Sequence, residues 1–185
     1  MRRTLLALAL FSTLAAPVLA GELAGVMLPD TAKAGDKDLV LNGLGLRKKL
    51  FIKIYVGGLY LTGKEHDAAK VLAADAPRRM VMHFLYGVSS SQMCDAWDEG
   101  LEQNTPNASA DVKAAFKTLC SYMEEIPKGN ELILTYLPGQ GTVVEVNGRE
   151  KGTLAGKDVA DATLATWIGP DPAPGTDFKN AVLGQ

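Results

Sequence analysis

Short turns between segments rich in β-branched residues constrain the fold of this chain most. Segments 131–137 and 142–146 are separated by the turn sequence 138–141, and both have strand character. Asn147-Gly148 follows at once and is the strongest short signal for a hairpin, after which 151–154 returns. Strands joined by such short turns run antiparallel, because parallel strands need a longer crossover. The segment therefore predicts an antiparallel meander and not a set of βαβ units.

The other predicted elements surround this meander with further strands and with helices. Ser89 begins a capping box that ends at Gln92, and a later helix is capped by Asn107 or Ser109. Segment 42–46 is predicted to be loose, and its glycines allow a bulge or a close backbone approach. Further strands are predicted at 39–41, 50–61 and 79–86. Helices are predicted at 67–74, 89–103, 109–123, 158–168 and 177–183. This order predicts an α+β domain with helices covering one face of an antiparallel sheet.

The N-terminal segment 1–20 has the order of a secretory signal peptide. A basic pair at 2–3 precedes an apolar run at 5–14, which is too short to span a bilayer comfortably. Ala20 then closes a stretch with the small residues of a cleavage site. The alternative is an N-terminal membrane anchor, which the short run disfavours. We predict a leader at 1–20 and one mature domain at 21–185, located in a bacterial periplasm.

The charge and the missing motifs exclude several classes of function. The formal charge of −2 falls to −4 without the leader, because the leader carries two arginines and no acid. No basic patch indicates a nucleic-acid partner, and no later apolar stretch is long enough for stable membrane insertion. His66 and His83 lack partners at metal-site spacing. Since a P-loop, a dinucleotide fingerprint and a nucleophile elbow are also missing, no metal or cofactor is predicted.

Cys94 and Cys120 are the two cysteines of the chain. An even number of cysteines in an oxidising compartment favours a disulfide. They lie on two predicted helices that turn back near 105–107, at similar distances from the bend. We predict that they form a disulfide, and the alternative is two buried free thiols.

Arg47 and Tyr55 are the best candidates for a binding site. Arg47 follows the glycine-rich segment and precedes a predicted strand that carries Lys53 and Tyr55. A guanidinium and a phenol at nearby strand positions can hold a carboxylate or a polarised carbonyl. The alternative is that 47–49 is a solvated basic turn.

Two segments around these residues resemble the signature of the chalcone isomerase-like family. They are Asn42-Gly-Leu-Gly-Leu-Arg47 and Lys53-Ile-Tyr-Val-Gly-Gly-Leu-Tyr-Leu61. The late hairpin 138–148 and the motif Trp167-Ile-Gly169 resemble further parts of the family, in the same order. The chain is most similar to the exported bacterial branch. The resemblance implies an open-faced β-sandwich, in which helices back a large antiparallel sheet and a ligand cleft lies between them.

The resemblance also implies which residues bind a ligand. Isomerases of this family use an Arg, a Thr, a Tyr and an Asn without a cofactor, whereas other members bind fatty acids through an Arg and a Tyr. Arg47 matches the family Arg, and Tyr55 replaces the Thr as in the fatty-acid binders. Tyr86 and Gln92 are the available candidates for the Tyr and the Asn, and Lys53 is a further possible contact. No catalytic residue is assigned.

These matches predict a non-catalytic binding protein for a small amphiphilic carboxylate such as a fatty acid. Ala160 or Ala162 stands where the isomerases carry a hydroxyl, so chalcone isomerisation is not expected. One alternative is a cofactor-independent isomerase or lyase of unknown substrate, with Arg47 as the electrophile. The other is an envelope protein that binds a protein partner and no small ligand. A second ionisable group near Arg47 favours the enzyme, and a deep cleft at Arg47 disfavours the partner-binding protein.

Overall fold

The computed structural model describes residues 20–185, so the predicted leader lies outside the described residues except for Ala20. Seven strands form one antiparallel sheet in sequence order, and the first two strands form a separate hairpin. The strands are β1 (Ala20–Leu23), β2 (Val26–Pro29), β3 (Thr31–Ala34), β4 (Lys37–Lys49), β5 (Ile52–Leu61), β6 (Arg78–Phe84), β7 (Glu131–Leu137), β8 (Gly141–Val146) and β9 (Arg149–Leu154). The predicted α+β fold with a large antiparallel sheet is confirmed.

Five helices accompany the sheet in the described part of the chain. They are α1 (Ala68–Ala73), α2 (Ser90–Asn104), α3 (Ala110–Ser121), α4 (Lys157–Ile168) and α5 (Thr176–Val182). The capping box of Ser89 and Gln92 is confirmed at the start of α2, and Ser109 is the cap of α3. None of these helices is long and apolar enough to cross a membrane.

The sheet is covered on both faces, because alternate residues of a strand point to opposite sides. On β5, Tyr55 and Leu59 pack in the core that the helices cover. Val56 and Tyr60 pack in a second core with residues of the β1–β2 hairpin. The Tyr60 hydroxyl also donates a hydrogen bond to the Pro29 carbonyl at 2.8 Å. The sequence pattern predicts no strand before residue 39, so this hairpin was not expected.

The prediction of a loose segment at 42–46 is wrong, because these residues lie within β4. The expected bulge is present as a register shift between Leu41 and Gly43. The close backbone approach is present as well, because a Cβ atom at Gly43 would lie 2.1 Å from the Ala181 carbonyl oxygen. Glycine is therefore required here so that the C-terminal helix α5 can pack directly on the strand.

Gly43→Ala is expected to lower the free energy of unfolding by about 1–3 kcal/mol, since a methyl group would overlap the backbone of α5. The matched control is Gly63→Ala, because nothing lies within 4 Å of a Cβ atom at Gly63. Urea denaturation of both variants checks this. Equal stabilities would show that α5 moves away without cost.

Cys94 on α2 and Cys120 on α3 form the predicted disulfide, with their Cα atoms 5.0 Å apart. The two helices pack against each other and against α4, and their buried residues belong to the core on the helix-covered face of the sheet. On α2 the buried residues include Met93, Trp97 and Leu101. The disulfide therefore fixes the position of α2, which carries much of the candidate site described below.

Glu124 anchors the β8–β9 hairpin to the end of α3. Its carboxylate accepts hydrogen bonds from Arg149 and Lys151, each at 2.8 Å, and from Asn147. These donors stabilise the charged carboxylate, and they lower the pKa of Glu124 to about 2.

A lowered pKa in the folded state makes the contribution of Glu124 to stability depend on pH. The contribution is present above the ordinary Glu pKa of about 4.3 and is lost as the pH falls through the folded value of about 2. We expect Glu124→Gln to flatten the fall in unfolding free energy across this window. Glu102→Gln, an exposed position on α2, is the control. An unchanged slope in the Glu124 variant, measured by denaturation at several pH values, would contradict the assignment.

Candidate ligand-binding site

A cavity of about 200 Å³ lies where one end of the sheet meets α2 and α4. Its walls are mostly apolar and buried. Its charged residues and Gln92 are exposed or half-buried, whereas Thr166 is a buried polar residue of the wall. The apolar and aromatic lining residues are Ile54, Tyr55, Met82, Phe84, Val88, Met93, Ala96, Trp97, Trp167 and Ala173. A buried apolar floor below a few polar groups is typical of a site for a small organic ligand.

Arg47 and Tyr55 meet at this cavity because they are direct cross-strand partners in β4 and β5. Phe84 of β6 is in turn the partner of Tyr55, and the two rings lie 5.5 Å apart. Arg47 is half-buried, and none of the ion pairs within residues 20–185 includes it. Its guanidinium is therefore a cation at the cavity whose charge is not neutralised by a carboxylate of the described chain.

The Tyr55 hydroxyl lies in the cavity wall, and its oxygen already accepts one hydrogen bond. It accepts a hydrogen bond from Nε1 of Trp167 at 3.0 Å. Burial raises the pKa of Tyr55, and the nearby Arg47 guanidinium opposes this shift. The phenol is therefore protonated at neutral pH. Its own hydrogen has no acceptor among residues 20–185, so it can donate to a ligand.

The indoles of Trp97 and Trp167 also line the cavity, with ring centroids 5.3 Å apart and planes at 87°. Trp97 is 3% exposed, and its Nε1 atom has no hydrogen-bond partner within the described chain. An unsatisfied buried donor is costly.

Charges of both signs lie at the mouth of the cavity. Lys49 extends from the end of β4, and Asp95 and Glu99 extend from successive turns of α2. All three are exposed, so water screens them more than it screens Arg47. The half-buried Arg47 is therefore the charge that a ligand head group inside the cavity meets.

The structure brings together only some of the residues that the sequence proposed. Arg47, Tyr55 and Gln92 line the cavity, whereas Lys53 and Tyr86 are exposed and do not. Gln92 is exposed, and its Oε1 accepts from the Ser89 backbone N–H at 2.9 Å, so its amide already serves the helix cap.

The two tryptophans of the site were not predicted from the sequence. Trp97 was not named among the candidate residues, and Trp167 was named only within the motif Trp167-Ile-Gly169. A helical period of apolar residues shows that a side chain is buried but not that it faces a cavity. The available signal for an aromatic wall was that the chain has only two tryptophans, Trp97 and Trp167.

Comparison with known proteins places this fold in a family. A family model described as chalcone isomerase-like matches residues 20–184. The chain belongs to the chalcone isomerase-like family. A solved structure of a fatty-acid binding protein from Arabidopsis thaliana is similar, with a TM-score of 0.70 and 17% sequence identity. The alignment covers 90% of this chain and 97% of that chain, and at this identity it shows the shared fold. Comparison with curated proteins gave no match.

Proposed function

We propose that this protein is a non-catalytic, periplasmic binding protein for a small amphiphilic carboxylate such as a fatty acid. The observation that carries the proposal is the juxtaposition of Arg47, which has no carboxylate partner in the described chain, with the Tyr55 hydroxyl above an apolar cavity. The similar plant structure is itself a fatty-acid binding protein, which supports a binding role.

The chemistry of the head group follows from these two donors. A carboxylate that leaves water loses its hydration, and this cost is compensated only if a paired charge and hydrogen bonds replace it. Arg47 supplies a permanent positive charge with a planar set of donors. Tyr55 supplies a neutral donor whose hydrogen is available, because its oxygen already accepts from Trp167.

The size of the cavity sets the expected length of the tail. At about 200 Å³ it is smaller than the roughly 300–1,000 Å³ of most small-molecule sites. It therefore suits a medium-chain carboxylate, or the head and first carbons of a longer chain. Each methylene group that enters the cavity should strengthen binding by about 0.8 kcal/mol, and further carbons should add little.

The periplasmic location rests on the predicted leader at 1–20. The family match begins at residue 20, so the predicted leader lies almost wholly outside the matched range. Cleavage after Ala20 would leave Gly21 as the first residue of the mature chain. N-terminal sequencing of the exported protein tests this, and retention of Met1 in a membrane fraction would contradict it.

Calorimetric titration of the delipidated protein tests the binding function. Hexanoate, octanoate, decanoate and palmitate are compared with the alcohols of the same lengths. We expect affinity to rise with chain length up to the medium chains and then to level off, and each alcohol to bind more weakly than its acid. If no acid binds, or if acids and alcohols bind equally, a carboxylate site at Arg47 is contradicted.

A cofactor-independent isomerase or lyase is the second candidate, and one observation favours it. Asp95 and Glu99 line the same cavity as Arg47, so a carboxylate base and an electrophile share one site. Both carboxylates are exposed, whereas general bases are commonly tuned by burial. An absorbance assay for chalcone loss, with flavanone as the expected product, distinguishes this candidate. Turnover would favour the enzyme over the binding protein.

A further inference from the structure

Most of the large apolar side chains that are exposed lie at one end of the sheet. Within residues 20–185 these side chains are Met27, Leu50, Phe51, Ile52 and Tyr86. Leu50 and Phe51 form the turn between β4 and β5, and Ile52 begins β5. Phe51 is 100% exposed. Tyr86 lies near the start of β5, because its backbone N–H donates to the carbonyl of Ile54 at 3.2 Å.

Leu50 is unfavourable in this turn for two reasons. It is the first residue of a two-residue loop between the paired residues Lys49 and Ile52, and its φ angle is 55°. Glycine or asparagine is favoured at such a position, because a bulky side chain strains the left-handed backbone. Leu50 is also 87% exposed. Neither backbone conformation nor burial within the chain explains a leucine here.

Lysines surround this apolar turn. Lys48, Lys49 and Lys53 are exposed, and none of them takes part in the ion pairs of residues 20–185. The whole chain has a net charge of −2, so this segment is opposite in sign to the protein. We refer to residues 48–53 as the basic apolar tip.

We propose that the basic apolar tip docks this protein on the surface of an anionic lipid bilayer. Leu50 and Phe51 would enter the boundary between head groups and acyl chains, as apolar side chains of peripheral proteins do. Lys48 and Lys53 would lie at the level of the lipid phosphates, to which basic side chains are attracted.

A bilayer fits this tip better than a folded protein partner does. The tip projects from the molecule as a turn with a fully exposed phenylalanine, and a fluid bilayer can accept such a shape without a complementary pocket. The lysines match an anionic surface in charge. Asp95 and Glu99 on α2 oppose that match, and they limit the contact to the tip itself.

The basic apolar tip lies next to the cavity, but the docking proposal does not depend on a ligand in the cavity. Arg47 and Lys49 line the cavity and immediately precede the turn. Docking through the tip would therefore place the mouth of the cavity next to the bilayer. The docking itself requires only the exposed residues 48–53, so it can be tested without any fatty acid.

Flotation with lipid vesicles tests the proposal on the mature protein. We expect binding to vesicles that contain phosphatidylglycerol and little binding to pure phosphatidylcholine. Phe51→Ser should weaken binding by about tenfold or more, because it removes the largest inserted side chain. The combined variant Lys48→Gln and Lys53→Gln should weaken it by roughly fivefold for each lysine. Met27→Ser, a change of an exposed apolar residue elsewhere, should bind as the wild type does.

Leu50→Gly separates a role of Leu50 in membrane binding from a role in folding. Since glycine relieves the strained φ angle, the variant should have a higher unfolding midpoint and yet weaker vesicle binding. The proposal is overturned if the wild type does not bind anionic vesicles, or if Phe51→Ser binds as well as the wild type. It is also overturned if ultracentrifugation shows that Phe51→Ser abolishes a dimer while vesicle binding is unchanged, because the tip would then be a contact between copies.

Discussion

Arg47→Ala is expected to weaken binding of a medium-chain carboxylate by about 2–3 kcal/mol, because hydrogen bonds to charged groups contribute this much. The free energy of unfolding should change little, since Arg47 takes part in no ion pair of residues 20–185. Calorimetric titration and urea denaturation measure the two effects separately. The account thus predicts a large loss of affinity without a comparable loss of stability.

Two variants control this experiment. Lys53→Ala also removes a cation of the neighbouring strand, but Lys53 is exposed and outside the cavity. In the absence of vesicles it should bind like the wild type. Tyr55→Phe removes one neutral donor and should cost about 1 kcal/mol of affinity. Equal losses in the Arg47 and Lys53 variants would show that the effect is a general change of charge.

Removal of the disulfide through Cys94→Ala and Cys120→Ala is expected to lower the free energy of unfolding by about 3–4 kcal/mol. The linked cysteines are 26 residues apart in sequence, and the bond restricts the unfolded chain within that loop. The variant should also bind carboxylates more weakly, because α2 carries one wall of the cavity. Chemical denaturation with and without a reductant measures the stability.

The wild type under reducing conditions should match the double variant in stability. The variant itself should show no response to the reductant. If reduction leaves the unfolding midpoint of the wild type unchanged, the bond does not form in the protein in solution, and the alternative of two free thiols is correct.

The elements with strong local signals could be predicted from the sequence. Asn147-Gly148 defined the hairpin between β8 and β9, and the capping box defined the start of α2. Each of these signals acts over a few residues, so neighbours in sequence are enough to read it. The strand β7 was predicted with the same bounds, Glu131–Leu137.

The elements that depend on distant contacts were predicted less well. The glycines of β4 lower the local propensity for a strand, but Gly43 and Gly45 make room for the backbone of α5 and for Phe178. The short strands β1 and β2 are stabilised by packing on the outer face of the sheet. Propensity does not report such packing, since it arises from residues far away in the chain.

The site was predicted in part for the same reason. Arg47 and Tyr55 lie on adjacent strands, and a hairpin register brings them together. Trp97 and Trp167 come from two helices and meet the strands only after the chain has folded. The hydrogen bond from Trp167 to Tyr55, which leaves the phenol hydrogen available to a ligand, joins positions 112 residues apart.

The most direct test of the binding account is a crystal structure of the delipidated protein with decanoate. The account predicts that the carboxylate lies within hydrogen-bonding distance of the Arg47 guanidinium and the Tyr55 hydroxyl, with the tail against Phe84 and Trp97. An empty cavity in the presence of saturating decanoate, or a carboxylate held away from Arg47, would contradict it.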